Sequence, residues 1–478
     1  MAETHIEPQT RTDLTTEAPS RWRSNASRRP ARSNARLRSQ LQLRHFIGRA
    51  LVIWICSYLV FGGNGHPELG SAALATVTTA AFLPFVQWMN QVARSMPLAI
   101  GSGSAAAIGV ACGFVALSAA SLWVDSLDFH IGSLLVISGV VFLATWVWDL
   151  AADRLGSIPA SVVVIGGGQS VEDMLEQLGQ RTTGFRVVGI AAETIAPEML
   201  ERRVHMVPLG DMEELIGSTT PDLIVVAVDQ GRPGVFERLL ALAHTERFNI
   251  IGLPEFYEVA FGRLPTRALT PAWFMSTLHY YNRPYRQIAK RSFDVAFALV
   301  GLAFAVVLLP FIAIVVKRTR GPLFYRQNRL GEFGRPFEVI KFRSMVSGAE
   351  RPGEAVFAGA SDPRIIWGGQ FLRRSRLDEQ PQLWNGLMGE MAIVGPRPER
   401  PEFLDALARE VPYWTQRNLL KPGLTGWAQI MAGYTSDSLG AEEKLSYDLW
   451  YLRHRSLMVD AVICVKTIAT VLTGAGAR

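Results

Sequence analysis

A chain of 478 residues exceeds one ordinary domain, so roughly two to four folded units are expected. It is 49% hydrophobic, more than a soluble protein usually carries, and its net charge is +6. Cys56, Cys112 and Cys464 are scattered, and the eight histidines form no HExxH or paired spacing, so neither a disulfide framework nor a zinc site is expected. The basic residues flank apolar runs instead of interleaving with aromatics, which favours anionic lipid and phosphorylated substrates over nucleic acid as partners.

Residues 1–45 include RWRSNASRRPARSNARLR, have no apolar periodicity, and read as a disordered basic tail. No secretory signal is read here, because the apolar segment that follows lacks a cleavage pattern and more such segments succeed it. Those segments, at 46–63, 69–90, 97–123 and 131–149, each approach the roughly 20 residues of a membrane-crossing helix. Arginines crowd the tail and Arg94 lies in the second connection, whereas GGNGHPE and VDSLDFH contain no Lys or Arg. The N-terminus and everything after about residue 150 are therefore expected on the cytoplasmic side of a four-helix anchor spanning 46–150.

Residues 151–265 read as a doubly wound, Rossmann-like domain: SVVVIGGGQS is a buried strand ending in glycines, VEDMLEQLGQ a helix, and FRVVGI and DLIVVAVD further parallel strands. Gly166 and Gly168 match the first two glycines of a dinucleotide fingerprint, but Val171 stands at the third, and Glu193, the nearest acid, is expected to follow a loop. A structural or dimerising role is favoured over nucleotide binding. Residues 266–289 are expected as a linker.

The run SFDVAFALVGLAFAVVLLPFIAIVV, 292–316, could span, yet Lys290 and Arg291 precede it and Lys317, Arg318 and Arg320 follow. Both ends thus carry the cytoplasmic mark. Pro310 removes a backbone hydrogen bond and can bend the helix back to the face it entered, giving a re-entrant helix.

Beyond 317 the chain is dense in Arg, Gly, Pro and aromatics. A site for a pyrophosphate needs fixed cations, and Lys341, Arg343, Arg364, Arg373 and Arg397 are available. Carboxylates in such a site can hold magnesium or attack phosphorus, and Asp378 and Glu379 stand just before Pro381, which suits a helix start. An isolated Asp-Glu pair is ordinarily a cap and a first-turn charge. The surrounding ensemble changes that reading.

KRSFD, QNRLGEFGRPFEVIKFRSM, LRRSRLDEQPQLWN, MAIVGPRPE and KPGLTGWAQI together resemble the bacterial polyprenyl-phosphate hexose-1-phosphate transferases, membrane phosphoglycosyl transferases that begin exopolysaccharide, capsule or O-antigen synthesis. The likeness covers 290–478, and residues 46–260 look like the anchor and nucleotide-fold-like domain of the larger members. It implies a mainly α catalytic domain with interfacial helices, in which the position of Asp378 is the nucleophile and that of Glu379 helps hold Mg2+. Lys341 and Arg373 match basic positions near the phosphates. Pro396, Arg397 and Pro398 match a motif associated with the uridine nucleotide. Lys290, Arg291 and Pro310 match a membrane-surface pair and helix break. Arg376 stands where the motif usually has Ser, Gln380 where it often has Leu, and Glu390 where it usually has Asp.

The implied reaction transfers hexose 1-phosphate from a UDP-hexose, with glucose or galactose favoured, to polyprenyl phosphate at a bacterial inner membrane, releasing UMP. Direct transfer with Asp378 as general base, a non-catalytic assembly scaffold and a nicotinamide enzyme are the alternatives. A homodimer is the first expectation for assembly. Lys421, Gly423, Gly426 and Trp427 read as structural, Asp448 as either a helper of the site or a surface partner of an arginine, and 457–474 as an amphipathic interfacial helix.

Overall fold

The computed structural model describes residues 32–63, 68–95, 102–121, 131–154, 159–180, 184–193, 204–228, 233–245, 248–269, 271–281, 284–349, 362–432 and 438–473. Helices α1 (Arg32–Gly63), α2 (Glu68–Ser95), α3 (Ser102–Ser121) and α4 (Ile131–Arg154) form one bundle, with α1 and α3 each packed against both α2 and α4. Its core is Ile53, Phe82, Val86, Leu117, Ile137 and Val141. Small residues permit close approach: a Cβ on Gly109 would lie 2.7 Å from Val86 Cα. One ion pair is buried among these apolar faces. Arg49 Nε donates to Asp149 Oδ1 at 2.7 Å and its Nη1 to Gln87 Oε1 at 2.9 Å, joining α1, α2 and α4.

By length and composition Leu43–Gly62, Gly70–Met89 and Gly132–Ala151 can cross a membrane, whereas the described apolar run of α3, Ala105–Ala120, is shorter. The basic tail needs correcting from residue 32 onward, where it is helical. Its Arg, Leu and Gln are good helix formers, and extending an existing helix avoids the cost of nucleation. Residues 1–31 and the connections at 64–67 and 122–130 lie outside the described residues.

The next unit is a parallel sheet in the order β3-β2-β1-β4-β5. Its elements are β1 (Ala160–Gly166), α5 (Gln169–Gln180), β2 (Phe185–Ala192), β3 (His205–Pro208), α6 (Met212–Thr219), β4 (Leu223–Ala227), α7 (Pro233–Thr245), β5 (Asn249–Gly252) and α8 (Leu253–Phe261). The unbroken apolar run of β1 is explained by burial on both faces. Val162 and Val164 pack with Met174 and Phe256 of α5 and α8, and Val163 and Ile165 with Leu215 and Leu239 of α6 and α7. Gly166 has φ +122, and a Cβ there would meet the Ala227 carbonyl oxygen at 2.3 Å. Val171 is buried in the same core. Glu193 follows β2 directly, correcting the expected loop, because the strand runs through Ala191 and Ala192.

Part of the stretch expected as a linker, 266–289, is packed structure. Helix α9 (Pro271–Tyr281) buries Trp273 and Thr277 and lies against α15 (Ser438–His454). The last unit comprises α10 (Pro284–Lys317), an antiparallel hairpin of β6 (Phe324–Leu330) and β7 (Pro336–Phe342), α11 (Gly369–Arg374), a one-turn helix Leu377–Glu379 and α12 (Gln382–Met388). It continues through β8 (Ala392–Val394), α13 (Pro401–Glu410), β9 (Gly423–Thr425) parallel to β8, α14 (Trp427–Met431), α15 and α16 (Leu457–Thr473). Trp427 donates to the Gly262 carbonyl at 2.7 Å, and Arg453 pairs with Glu258 at 2.9 Å, so this unit is fastened to α8 of the sheet.

Two expectations for the membrane-facing parts are corrected. Lys290 and Arg291 turn inward: Lys290 Nζ pairs with Asp294 at 2.9 Å and Asp460 at 2.8 Å, and Arg291 donates to the carbonyls of Gly386 and Leu387 at the end of α12. Buried carboxylates and orphan helix-end carbonyls demand cations more strongly than a hydrated headgroup does. Helix α16 is likewise a core element, with Asp460, Val462 and Ile463 buried and Ala105 and Ile108 of the anchor in the same cluster. Its charge at 460 marks an internal ion pair, not a polar outer face.

Helix α10 continues through Pro310, and 287–317 is long and apolar enough to cross a membrane by length and composition. One face of it packs on its own unit, while Val300, Phe304, Val307, Phe311 and Ile314 are exposed. Gly301 leaves room for Leu383, whose Cδ1 would be 2.7 Å from a Cβ there, while Ile312 and Val316 cluster with Phe342, Ile366 and Leu372.

Candidate active site

Asp378 and Glu379 lie on the one-turn helix before α12, both buried, with Pro381 at the start of α12 as its position suggests. Arg376, immediately before that turn, has φ +55, a conformation unusual for a residue with a side chain. The sharp reversal between α11 and α12 brings three cations to Glu379. Lys341 of β7 donates to Oε1 at 2.7 Å and Arg397 reaches the same oxygen at 3.2 Å. Arg376 lies 3.5 Å from Oε2. No hydrogen bond or ion pair from the described residues reaches Asp378.

The charges of the two acids diverge accordingly. Burial pushes the Asp378 carboxyl up to about 6, aided by the Glu379 charge and opposed by Lys341, Arg373 and Arg397. Burial also opposes ionisation of Glu379, but Lys341, Arg397 and Arg376 outweigh it and hold that carboxyl well below the usual range. At neutral pH the site therefore holds two carboxylates, one paired and one without a direct cation contact.

The loop bearing Arg397 is built by glycines. Gly395, Gly423 and Gly426 stack where β8 runs beside β9: a Cβ on Gly423 would sit 2.1 Å from Gly395 N, and one on Gly426 2.2 Å from the Gly395 carbonyl oxygen. Gly423 N donates to Pro396 O at 2.8 Å, and Arg329 Nη1 to Pro398 O at 3.1 Å. Behind the loop, buried Arg417 reaches Glu399 Oε1 at 3.0 Å, Arg397 O at 3.2 Å and Asp448 Oδ2 at 2.8 Å. Asp448 is thus an internal partner of an arginine, not a surface one, and burial raises its carboxyl to about 6 despite Arg417. Asn385 ties α12 to β7, accepting from Ile340 N at 3.2 Å and donating to Glu338 O at 2.8 Å. Lys421 donates to Gly389 O.

Of the expected site residues, Lys341, Arg397, Asp378 and Glu379 converge, and Arg373 lies close enough to lower the Asp378 pKa. Arg373 Nη1 is buried with no hydrogen-bond partner among the described residues, as are Gln380 Oε1 and Gln382 Nε2 on the segment that carries the acids. Two others go elsewhere. Arg343 donates to the carbonyls of Val316, Thr319 and Pro322, closing the end of α10, and Arg364 pairs with Asp362 and donates to Ala349 O. In each case nearby acceptors within the fold take the guanidinium. The sequence reading gave no role to Arg417, Glu399 or Asn385. An Arg in YWTQRN and an Asn in QLWN carry no spacing that marks their partners.

Among the described residues no group of three His, Cys, Asp or Glu side chains forms a closed metal cage. A hard divalent cation of the magnesium type can use one or two carboxylates completed by substrate phosphates. Glu379, whose Oε2 has only the Arg376 contact among the described residues, and Asp378 beside it form a donor set of that kind.

Residues 285–474 match the bacterial sugar transferase family. The chain is 33% identical over 290 residues to a UDP-N-acetylgalactosamine-undecaprenyl-phosphate N-acetylgalactosaminephosphotransferase of Aeromonas hydrophila, covering 57% of this chain and 68% of that one. The chain belongs to this family. The UDP-glucose:undecaprenyl-phosphate glucose-1-phosphate transferase of Xanthomonas campestris pv. campestris is 32% identical over 322 residues, covering 65% of this chain and 66% of its own length. A glucose-1-phosphate transferase of the same description from Escherichia coli K12 is 38% identical over 185 residues, 38% and 40% of the two chains. Within this bacterial sugar transferase, the matched residues contain every side chain of the acidic site and α10 from residue 285 onward.

Proposed function

We propose that the protein transfers a hexose 1-phosphate from a UDP-hexose to polyprenyl phosphate through a phosphoryl intermediate on Asp378. The observation that carries this reading is the asymmetry of the acid pair: Glu379 meets three cations, whereas Asp378 is buried, ionisable near neutral pH and contacted by no donor among the described residues. A carboxylate without a hydrogen-bond partner is a better nucleophile than a paired one.

In the first step an Asp378 carboxylate oxygen bonds to the sugar-bearing phosphorus, and the bridging P–O bond breaks with its electron pair leaving on UMP. In the second, an oxygen of the lipid phosphate bonds to that phosphorus, and the Asp378 carboxylate departs with its electron pair. Lys341 and Arg397 offer fixed positive charge to the pyrophosphate, and Arg373 Nη1, buried without a partner among the described residues, suits an incoming phosphate oxygen. Magnesium on Glu379, when bound, would neutralise phosphate charge.

Helix α10 is read as re-entrant, with the unit on the cytoplasmic face of the inner membrane. In support, Arg291, Asp294, Gly301, Ile312 and Val316 all meet the unit that carries Asp378. The reaction then occurs at the height where the lipid phosphate emerges. The parallel sheet is read as a Rossmann-like structural or dimerising unit, since Val171 fills the place of the third glycine.

The relatives' names include glucose, galactose and N-acetylgalactosamine. We favour glucose or galactose. The test is UMP release from a panel of UDP-sugars by purified protein with polyprenyl phosphate, comparing wild type with Asp378→Asn. Retained UMP release in the variant rejects the proposed role of Asp378. Incubation with labelled UDP-sugar in the absence of lipid separates a covalent path from direct transfer, which leaves Asp378 unlabelled.

A further inference from the structure

We propose that Arg376 is a resident counter-cation that occupies Glu379 Oε2 until a divalent cation displaces it, and so sets how tightly this site binds metal. The inference rests on the assignment of Glu379 as the metal-holding carboxylate.

The three cations on Glu379 are not equivalent. Oε1 is shared by Lys341 at 2.7 Å and Arg397 at 3.2 Å, whereas Oε2 has Arg376 at 3.5 Å. The longest contact is the one an incoming cation breaks most readily. Arg376 can reach Oε2 because its backbone is left-handed, with φ +55, which starts the Leu377–Glu379 turn and carries the side chain back over it. A non-glycine residue held there stores local strain.

Two negative and three positive side chains meet here, so the locale has a positive surplus before Arg373 is counted. A divalent cation entering without nucleotide is repelled by that surplus, and removing the Arg376 charge weakens the repulsion at the oxygen it approaches. The displaced guanidinium remains two residues from Asp378, where it can face the nucleotide phosphates. Arg376 therefore acts with opposite signs on the two ligands: it weakens metal binding to the empty site and strengthens binding of the UDP-sugar. A role confined to the fold would not produce that split.

The experiment measures Mn2+ binding by electron paramagnetic resonance on the full-length protein in detergent, without nucleotide. It compares wild type with Arg376→Gly, which suits the positive φ, Arg376→Ser, Arg376→Lys and Glu379→Gln. Arg376→Gly and Arg376→Ser are expected to bind Mn2+ about tenfold more tightly, a change of about 1.4 kcal/mol, with Arg376→Lys close to wild type. The same two neutral variants should bind UDP-glucose more weakly by isothermal titration. Unchanged or weaker Mn2+ binding in both neutral variants, with Glu379→Gln abolishing it, overturns the role of Arg376 alone. Mn2+ binding that survives Glu379→Gln unaltered overturns the metal assignment of Glu379 itself.

Discussion

Asp378 and Glu379 are adjacent and similarly buried, yet Glu379 meets Lys341, Arg397 and Arg376 while Asp378 meets no cation directly among the described residues. The turn Leu377–Glu379 points the two side chains into different surroundings, so neighbours in sequence acquire different chemistry. Replacing Asp378 by Asn should reduce transfer roughly thousandfold or more. It should also stabilise the protein. A carboxyl raised to about 6 contributes stability that is complete below the unfolded value near 3.8 and is lost as pH rises through 6. At pH 7.5 the wild type carries this penalty, on the order of 3 kcal/mol, and the Asn variant does not. Thermal melts should show the variant gaining at pH 7.5 and the difference shrinking toward pH 4; a lower melting temperature at pH 7.5 contradicts this account.

The same carboxyl sets the pH profile of the first chemical step. Attack requires ionised Asp378, so single-turnover labelling of Asp378 from UDP-sugar should fall as pH drops through about 6. After burial, the Glu379 charge is the next cause of that raised value. In Glu379→Gln the midpoint should therefore move to lower pH even as the rate falls. A midpoint that stays at 6 or rises would show that Glu379 does not act on its neighbour through charge.

Much of this site is legible in the sequence, because its acids and their closest cations lie in short motifs whose chemistry is local. The same holds for β1, β2 and β4, whose apolar runs are long enough to mark burial on both faces. The illegible part is long-range. Lys341 lies on β7 and reaches Glu379, whereas Arg343, just past the end of that strand, turns back to the end of α10; composition gives both the same reading. Lys290 and Arg291 look like headgroup contacts until α12 and Asp460, about a hundred residues or more away in sequence, are brought to them. Arg417 pairs with Glu399 and Asp448 across shorter gaps that match no helix or strand spacing.

Arg417 is the residue whose loss should damage the fold most. It is buried between Glu399 and Asp448 and holds the backbone of Arg397. Arg417→Ala leaves two acids without their cation and should destabilise by about 3–5 kcal/mol. Asp448→Asn removes a charge that burial already disfavours, as its rise to about 6 indicates, and should cost less. Comparing melting temperatures of the two variants tests this, and an equal or larger loss for Asp448→Asn contradicts the proposed hierarchy.

The topology of α10 offers the last test. A straight helix of the 31 residues 287–317 would be about 46 Å long, more than the hydrocarbon core. Its start is capped onto α12 through Arg291, and its end is closed by Arg343, the residue after β7, so both ends meet the unit that holds Asp378. If the two ends faced opposite compartments, β7 and α12 would have to be parted by the bilayer, although Asn385 of α12 is hydrogen-bonded to Ile340 of β7. Single cysteines at the exposed positions Ile288 and Arg320, in a chain otherwise free of cysteine, should both resist a membrane-impermeant maleimide in intact cells and both react after permeabilisation. Labelling of position 320 alone from outside would make α10 a true span and separate Asp378 from one end of the helix that supports it.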